Sequence, residues 1–298
     1  MLLIVSVLSF ALSQASAGDV ADITLRSRGL EVSEVNLAAI KEELGLNDTL
    51  PVQYWNWLVK ALRFDFGQSF QTHKPVSQEI WLRFPATLKL ALTATLLSIL
   101  YALPIAVLAV RYKDSFVDHS IRVVSTAGAT MPDFWLGLML LYVFAIHLKI
   151  VPVISGSKWQ NIFLPAFTLS VAYGATYIRI LRGNLIEIQN TDYMKAARAR
   201  GLGQSAALWR HGLRNAVLPL MTLIGLNFGR LLGGQIACET IFSWNGIGKF
   251  ALDSIKLKDL PVIQGYLMIV ALTYILINLL LDIIYVFIDP KIKLGWKS

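Results

Sequence analysis

The sequence predicts an all-α polytopic membrane protein. It has six transmembrane helices, both termini on the cytoplasmic side, and an extracytoplasmic helical segment between the first two spans. Three observations predict this. Of 298 residues, 55% are hydrophobic and 15% charged, against about 25% charged in an ordinary soluble domain. Mean hydropathy is +0.58, and so few charges cannot cover a water-facing surface. Charge-free apolar runs of span length recur, and the basic residues gather in particular connections, as cytoplasmic loops require. An ordinary soluble enzyme and a disordered chain are both excluded. The net charge of +8 therefore reads as positive-inside loops, and no nucleic-acid partner is expected.

Residues 1–17 are apolar and uncharged and read as the first transmembrane helix. At about 1.5 Å per residue they reach about 25 Å, short of an ~30 Å hydrocarbon core, so the natural start is expected a few residues upstream. A cleaved secretory signal competes, with Ala15-Ser16-Ala17 as its cleavage site. No Lys or Arg precedes Arg26, so the basic n-region of a signal is missing.

Residues 18–85 form the extracytoplasmic segment. From Asp19 to Pro85 it carries seven basic and nine acidic residues, punctuated by Gly29, Gly45, Asn47-Asp48 and Pro51. Val35 to Leu44 and Val52 to Leu62 have the pattern of short amphipathic helices. Trp55, Trp57 and Trp81 suit a membrane interface.

Residues 86–288 hold the transmembrane core. Ala91 to Val110 is 20 residues without a charge and is the second span, with a kink expected at Pro104. His119 to His147 is the third span and contains Pro132 and Asp133. Ile162 to Ile178 is the fourth. Ala216 to Phe242 is the fifth, with Arg230 and Glu239 inside it, and Val262 to Ile288 is the sixth, with Asn278 and Asp282. Between spans four and five, Arg179 to Arg214 holds seven basic residues against Glu187 and Asp192, which places it in the cytoplasm with the tail, residues 289–298. The loops Lys149 to Asn161 and Ser243 to Pro261 then fall outside.

Within this cytoplasmic excursion, residues 187–214, the stretch Asp192 to Gly203 is Ala-rich and helix-forming. Ala196, Ala199 and Gly203 share one face; Ala197 and Gly201 share another. Gly201 is placed to end the helix. A short helix with a nearly bare face suits docking into a groove of another protein, though an Ala-rich connector reads equally well from composition alone.

Here the chain resembles the permease subunits of ABC importers. Ala196-Ala197 followed by Gly201 is similar to their EAA loop, with Lys195 where an acidic residue is usual. Leu44-Gly45-Leu46-Asn47-Asp48, Gln53-Tyr54, Trp57-Leu58 and Asp65-Phe66-Gly67-Gln68-Ser69 resemble the outer segment of the dipeptide/oligopeptide/nickel family. Gly18-Asp19 resembles its Gly-Asp-Pro element, with Val20 for proline. Pro85-Ala86-Thr87-Leu88, the run Met131 to Gly137, and Ile241 to Gly248 with Asn245 for proline agree too, as do Asp282, Tyr285, Asp289, Pro290 and Lys291. Nearly the whole chain is covered.

The resemblance implies a type I importer permease in a bacterial cytoplasmic membrane. It implies a homologous second permease, two ABC ATPase subunits carrying ATP and Mg, and a solute-binding protein outside. Asp192, Tyr193, Lys195, Ala196, Ala197, Ala199, Gly201, Leu202 and Gly203 would couple to the ATPases. The outer segment from Leu46 to Ser69 leans the cargo towards nickel or a nickel chelate, with di- or oligopeptides as the alternative.

Ionisable and amide groups inside spans are candidates for the translocation pathway: Asp133, Asn227, Arg230 and Glu239. Arg230 and Glu239 are spaced to allow a pair, and Asn227 and Asn278 to bond between helices. No catalytic residue, metal site or chain-bound cofactor is expected. Gly246-Ile247-Gly248-Lys249-Phe250 lacks the earlier glycine and the Ser/Thr of a P-loop. His73, His119, His147 and His211 have no ligand spacing, and Cys238 reads as a packed core thiol. A rival class is an ion-gradient-driven secondary transporter using Asp133, Arg230 and Asp282; the sequence shows none of the internal repeat common in such carriers.

Overall fold

The computed structural model describes residues 1–15, 20–27, 29, 31–43, 45–152 and 161–288. Gly18-Asp19, Leu44, part of the loop Lys149 to Asn161, and Asp289, Pro290 and Lys291 with the rest of the tail lie outside them. Among the described residues the chain is helical, with turns and one isolated antiparallel bridge between Gln68 and Pro75.

Helix α1 (Leu2–Ala15) lies against the last helix, α14 (Leu260–Ile288), and against α4 (Leu50–Leu62). Ser6 and Tyr54 hydroxyls meet at 2.8 Å, and the Phe10 ring packs on Tyr54 and Trp57. Between α1 and α4, α2 (Val20–Ser27) and α3 (Glu34–Glu43) enclose a small core of Ala21, Leu25 and Ile40. Trp55 and Trp81 are exposed, whereas Trp57 packs inward.

Helix α5 (Val76–Arg111) begins ten residues ahead of the expected boundary at 85/86 and runs unbroken through Pro85 and Pro104. Small residues recur at helical spacing on its buried side: Ala94, Ser98, Ala102 and Ala106. They let α8 (Phe163–Gln189) approach closely, which makes α5 and α8 the most extensive helix pair of the fold. Helix α8 extends past the expected end at Ile178, so Arg179 to Gln189 continues the same helix.

The third expected span is two helices. Helix α6 (Phe116–Thr130) and α7 (Asp133–Leu141, continued by a π-turn over Tyr142–His147) meet at 102°. Pro132 forces Met131 out of helical geometry, to φ −73° and ψ 127°.

The fifth expected span is also corrected. After α9 (Asp192–Ala199), α10 (Gln204–Ala207) and a π-turn (Leu208–Gly212), helix α11 (Leu213–Leu232) stops at Gly233-Gly234. Gly234 has φ +89° and abuts the backbone of Gly248, which no side chain could do. Glu239 therefore sits in a separate short helix, α12 (Ile236–Ile241), followed by α13 (Ile247–Lys256).

Among the described residues, three helices are long and apolar enough to cross a membrane: Val76–Arg111, Gln204–Leu232 and Leu260–Ile283. The bent α6–α7 pair makes a fourth if it is one span. Helix α8 has 27 residues but carries Arg179, Arg182 and Glu187. The main core joins α5, α8, α9 and α11 through Ala102, Ala106, Leu181, Leu185, Met194 and Leu220. A second cluster holds Leu90, Ala94, Leu169, Phe242 and Trp244.

Candidate functional site

Helix α9 hangs from the end of α8 by a two-residue turn. Its first turn starts after Thr191, and Asp192 there complements the helix dipole. The end is a Schellman arrangement: Gly201 N–H donates to Arg198 O at 2.9 Å, and Leu202 N–H to Ala197 O at 3.4 Å, with Gly201 at φ +87°. Leu202 then packs on the main core.

The helix has one anchored side and one free side. Met194 and Ala197 are buried, Met194 within the main core. Asn215 Nδ2 donates to Tyr193 Oη at 2.9 Å, tying α9 to α11, and Arg198 donates to Gln189 O at 3.3 Å. Lys195 and Asp192 pair at 3.0 Å along the surface. Ala196, Ala199, Gly201 and Gly203 are exposed. Of the residues expected to couple, Ala197 thus faces inward as an anchor and Leu202 is half-buried, while Asp192, Tyr193, Lys195, Ala196, Ala199, Gly201 and Gly203 present the surface. That surface is short-chained at its centre, so a partner could seat on it with little loss of rotamer freedom.

The pathway candidates divide. Tyr173 on α8 lies within electrostatic reach of both Asp133 on α7 and Arg230 on α11. One turn along α8, Tyr177 accepts from Asn227 Nδ2 at 3.2 Å. Asp133 and Arg230 thus share Tyr173 as an electrostatic neighbour, while Asn227 bonds Tyr177 one helical turn on; Arg230 is exposed and Asp133 half-buried. No hydrogen bond or ion pair holds Arg230 among the described residues. The two tyrosines escape a sequence search that weighs charged and amide groups alone; their spacing of four on one helix face was the available signal.

Glu239 is elsewhere, and the Arg230–Glu239 pair is not formed. The Glu239 side chain is fully buried and bonds to the Thr87 hydroxyl at 2.8 Å and to Lys249 N–H at 2.8 Å. Asn278 is half-buried, Asp282 is exposed, and Cys238 is a buried thiol against Pro165 O at 3.6 Å. Among the described residues, no group of three or more His, Cys, Asp or Glu side chains is placed to hold a metal ion.

Comparison with known proteins agrees with this anatomy. The family described as "Binding-protein-dependent transport system inner membrane component" matches residues 94–294. Its N-terminal counterpart, "Binding-prot-dependent transport system membrane comp, N-term", matches residues 1–91. Glutathione transport system permease protein GsiC of Salmonella choleraesuis (strain SC-B67) is 36% identical over 292 residues, 98% of this chain and 94% of the relative. GsiC of Escherichia coli (strain K12) is 35% identical over the same coverage. A solved structure of the inward-facing MetNI methionine ABC transporter shares the fold at TM-score 0.60 and 16% identity, over 70% of this chain and 96% of that one. A match spanning nearly the full length, in a chain built of apolar helices, makes this an inner-membrane transport subunit: the chain belongs to the binding-protein-dependent transport system inner membrane component family and is a permease of the ABC importer type.

Proposed function

We propose that this permease forms half of the pathway of an importer for small peptide-type solutes. The observation that carries the cargo class is the relatedness, at 35–36% identity along 98% of the chain, to permeases named for glutathione. The exposed Arg230, within electrostatic reach of Tyr173 as Asp133 is, suits a cargo bearing carboxylates and an amine, because guanidinium–carboxylate bonding is bidentate and charge-assisted. The lean towards nickel rests on the outer segment between Leu46 and Ser69, and the relatives' names do not add to it.

In this reading the chain crosses the membrane six times with both termini inside. α1, α5, α8, α11 and α14 are five of the crossings and the bent α6–α7 pair is the sixth. A homologous permease completes the pathway, a solute-binding protein delivers cargo from outside, and two ABC ATPases bind ATP and Mg on the cytoplasmic side. The free side of α9 seats in an ATPase groove. Its anchored side, Met194 and Ala197, passes the displacement produced by ATP-driven closure into α8 and the main core.

The test is uptake of labelled glutathione, a labelled dipeptide and labelled nickel by cells with and without the gene, each challenged by excess of the others. Gene-dependent peptide uptake that nickel leaves unchanged is expected. Gene-dependent nickel uptake indifferent to peptide would replace this cargo assignment with a metal or metal-chelate one.

A further inference from the structure

Helix α6 carries a buried carboxylate that belongs neither to the α9 surface nor to the polar cluster around Arg230. Asp118 is fully buried at the start of α6. Arg182 of α8 grips it with two bonds, Nε to Oδ1 at 2.6 Å and Nη2 to Oδ2 at 2.7 Å. The Asp114 backbone N–H, in the turn that leaves α5, donates to Oδ2 at 3.1 Å, and Arg122 stands at 3.9 Å. The contact is tight further along as well. A Cβ on Gly128 of α6 would meet Ala175 and Val171 of α8 at 3.3 and 3.4 Å.

Burying a carboxylate against a half-buried guanidinium is a costly way to gain stability, since apolar residues of like volume often serve as well or better. Its value here is directional. It fixes one end of α6 to α8 through a planar two-bond fork, where apolar packing would let the helices slide. Two turns after Arg182, α8 ends at Gln189 and hands over to α9. At its other end α6 stops at the 102° bend of Met131-Pro132, after which Asp133 opens α7 in the polar cluster with Tyr173 and Arg230.

We propose that Asp118 and Arg182 are a positioning pair that makes α6 and α8 move as one body, so that displacement of α9 reaches the Pro132 bend and the Asp133 cluster. This rests on the importer reading, in which α9 is the element the ATPases move. Neither residue touches cargo. Their role is to keep ATP hydrolysis and transport in step.

The experiment uses the whole importer in proteoliposomes with its binding protein. Labelled glutathione is the cargo, and ATP hydrolysis and cargo uptake are measured together. Asp118→Asn is expected to keep ATPase subunits bound at the normal ratio and to hydrolyse ATP, while cargo moved per ATP falls about tenfold, within the range of changes along coupling elements. The exchanged pair Asp118→Arg with Arg182→Asp is expected to regain part of that ratio. A further variant carries Asp118→Cys and Arg182→Cys in a Cys238→Ser background, bridged by a bifunctional thiol reagent. It is expected to recover most of the coupling, and it decides the matter if Asp118→Asn fails to assemble. An unchanged cargo-to-ATP ratio in Asp118→Asn, or a bridged, assembled complex that stays uncoupled, would overturn the proposal in a working importer. A wild-type complex that hydrolyses ATP without moving glutathione would instead overturn the peptide-type cargo assignment on which the measurement stands.

Discussion

The Glu239 carboxylate accepts a hydrogen bond from the Thr87 hydroxyl at 2.8 Å, joining positions 152 residues apart. Thr87 in turn accepts from Ile247 N–H at 2.9 Å, and the second carboxylate oxygen accepts from Lys249 N–H at 2.8 Å. Ile247 and Lys249 are in the first turn of α13, whose N-cap position, Gly246, has no side chain. The orphan amides of that helix start are satisfied by residues borrowed from α12 and α5. One buried carboxylate thereby fastens three helices at one corner.

Thr87→Val removes the hydroxyl and keeps the volume. It strips a donor from Glu239 and an acceptor from Ile247, both buried, and should cost about 1–3 kcal/mol. The thermal unfolding midpoint of the detergent-solubilised protein should fall accordingly. A midpoint equal to wild type would mean that this corner carries no stability.

Gly201 takes φ +87° in open space, so its substitutions report backbone strain rather than collision. Asn tolerates this region and Val does not; the left-handed conformation costs an ordinary residue about 1–2 kcal/mol. Gly201→Asn should retain the ATPase subunits on purification, and Gly201→Val should lose a large share of them while still inserting in the membrane. Equal retention by both variants would detach the end of α9 from docking.

Gly174 lies directly under the Tyr101 ring, whose hydroxyl donates to Ser170 O. Gly174→Ala must displace that ring from the α5–α8 interface, a strain of about 1–3 kcal/mol. Combining it with Tyr101→Ala should cost less than the two single changes added together, because the collision is gone. Strict additivity in unfolding measurements would show that the ring already has room to move.

The turn between Gly67 and Val76 hangs on Asp259, which accepts from Ser69 Oγ at 2.5 Å and from Phe70 N–H at 3.1 Å. Ser69→Ala should loosen the turn containing Phe70 and increase chymotryptic cleavage after Phe70 in intact spheroplasts several-fold. Cleavage only in inverted vesicles would reverse the orientation assigned to the outer segment.

The sequence is most legible where one physical signal acts alone. The charge-free run Ala91 to Val110 lies inside α5, and Gly201 reaches the left-handed conformation that its place after the Ala-rich helix suggests. Where signals compete, the expectation fails. Counting charges carries the fifth span through Gly233-Gly234 to Phe242, although a Gly pair is a stronger stop than apolar content is a continuation. Pro132 is visible in the sequence as a helix breaker, but local sequence holds no information on an angle of 102°. Asp118 and Asp259 do not stand out in the sequence because their partners, Arg182 and Ser69, are 64 and 190 residues away. The available sign of the first pair is two opposite charges, Asp118 and Arg182, within largely apolar helices. Small residues alone do not assign the two faces of α9; Met194 is the apolar residue that turns Ala197 inward.

The most direct test places a photo-crosslinking side chain on α9 in the assembled importer. At Ala196 and Ala199, on the free side, it should capture an ATPase subunit, with a yield that changes when ATP is bound. At Gly183, exposed on α8 before the turn, it should capture little. Capture of no ATPase from Ala196 or Ala199, in complexes that retain the ATPases and transport cargo, would contradict the claim that this helix joins ATP hydrolysis to the pathway.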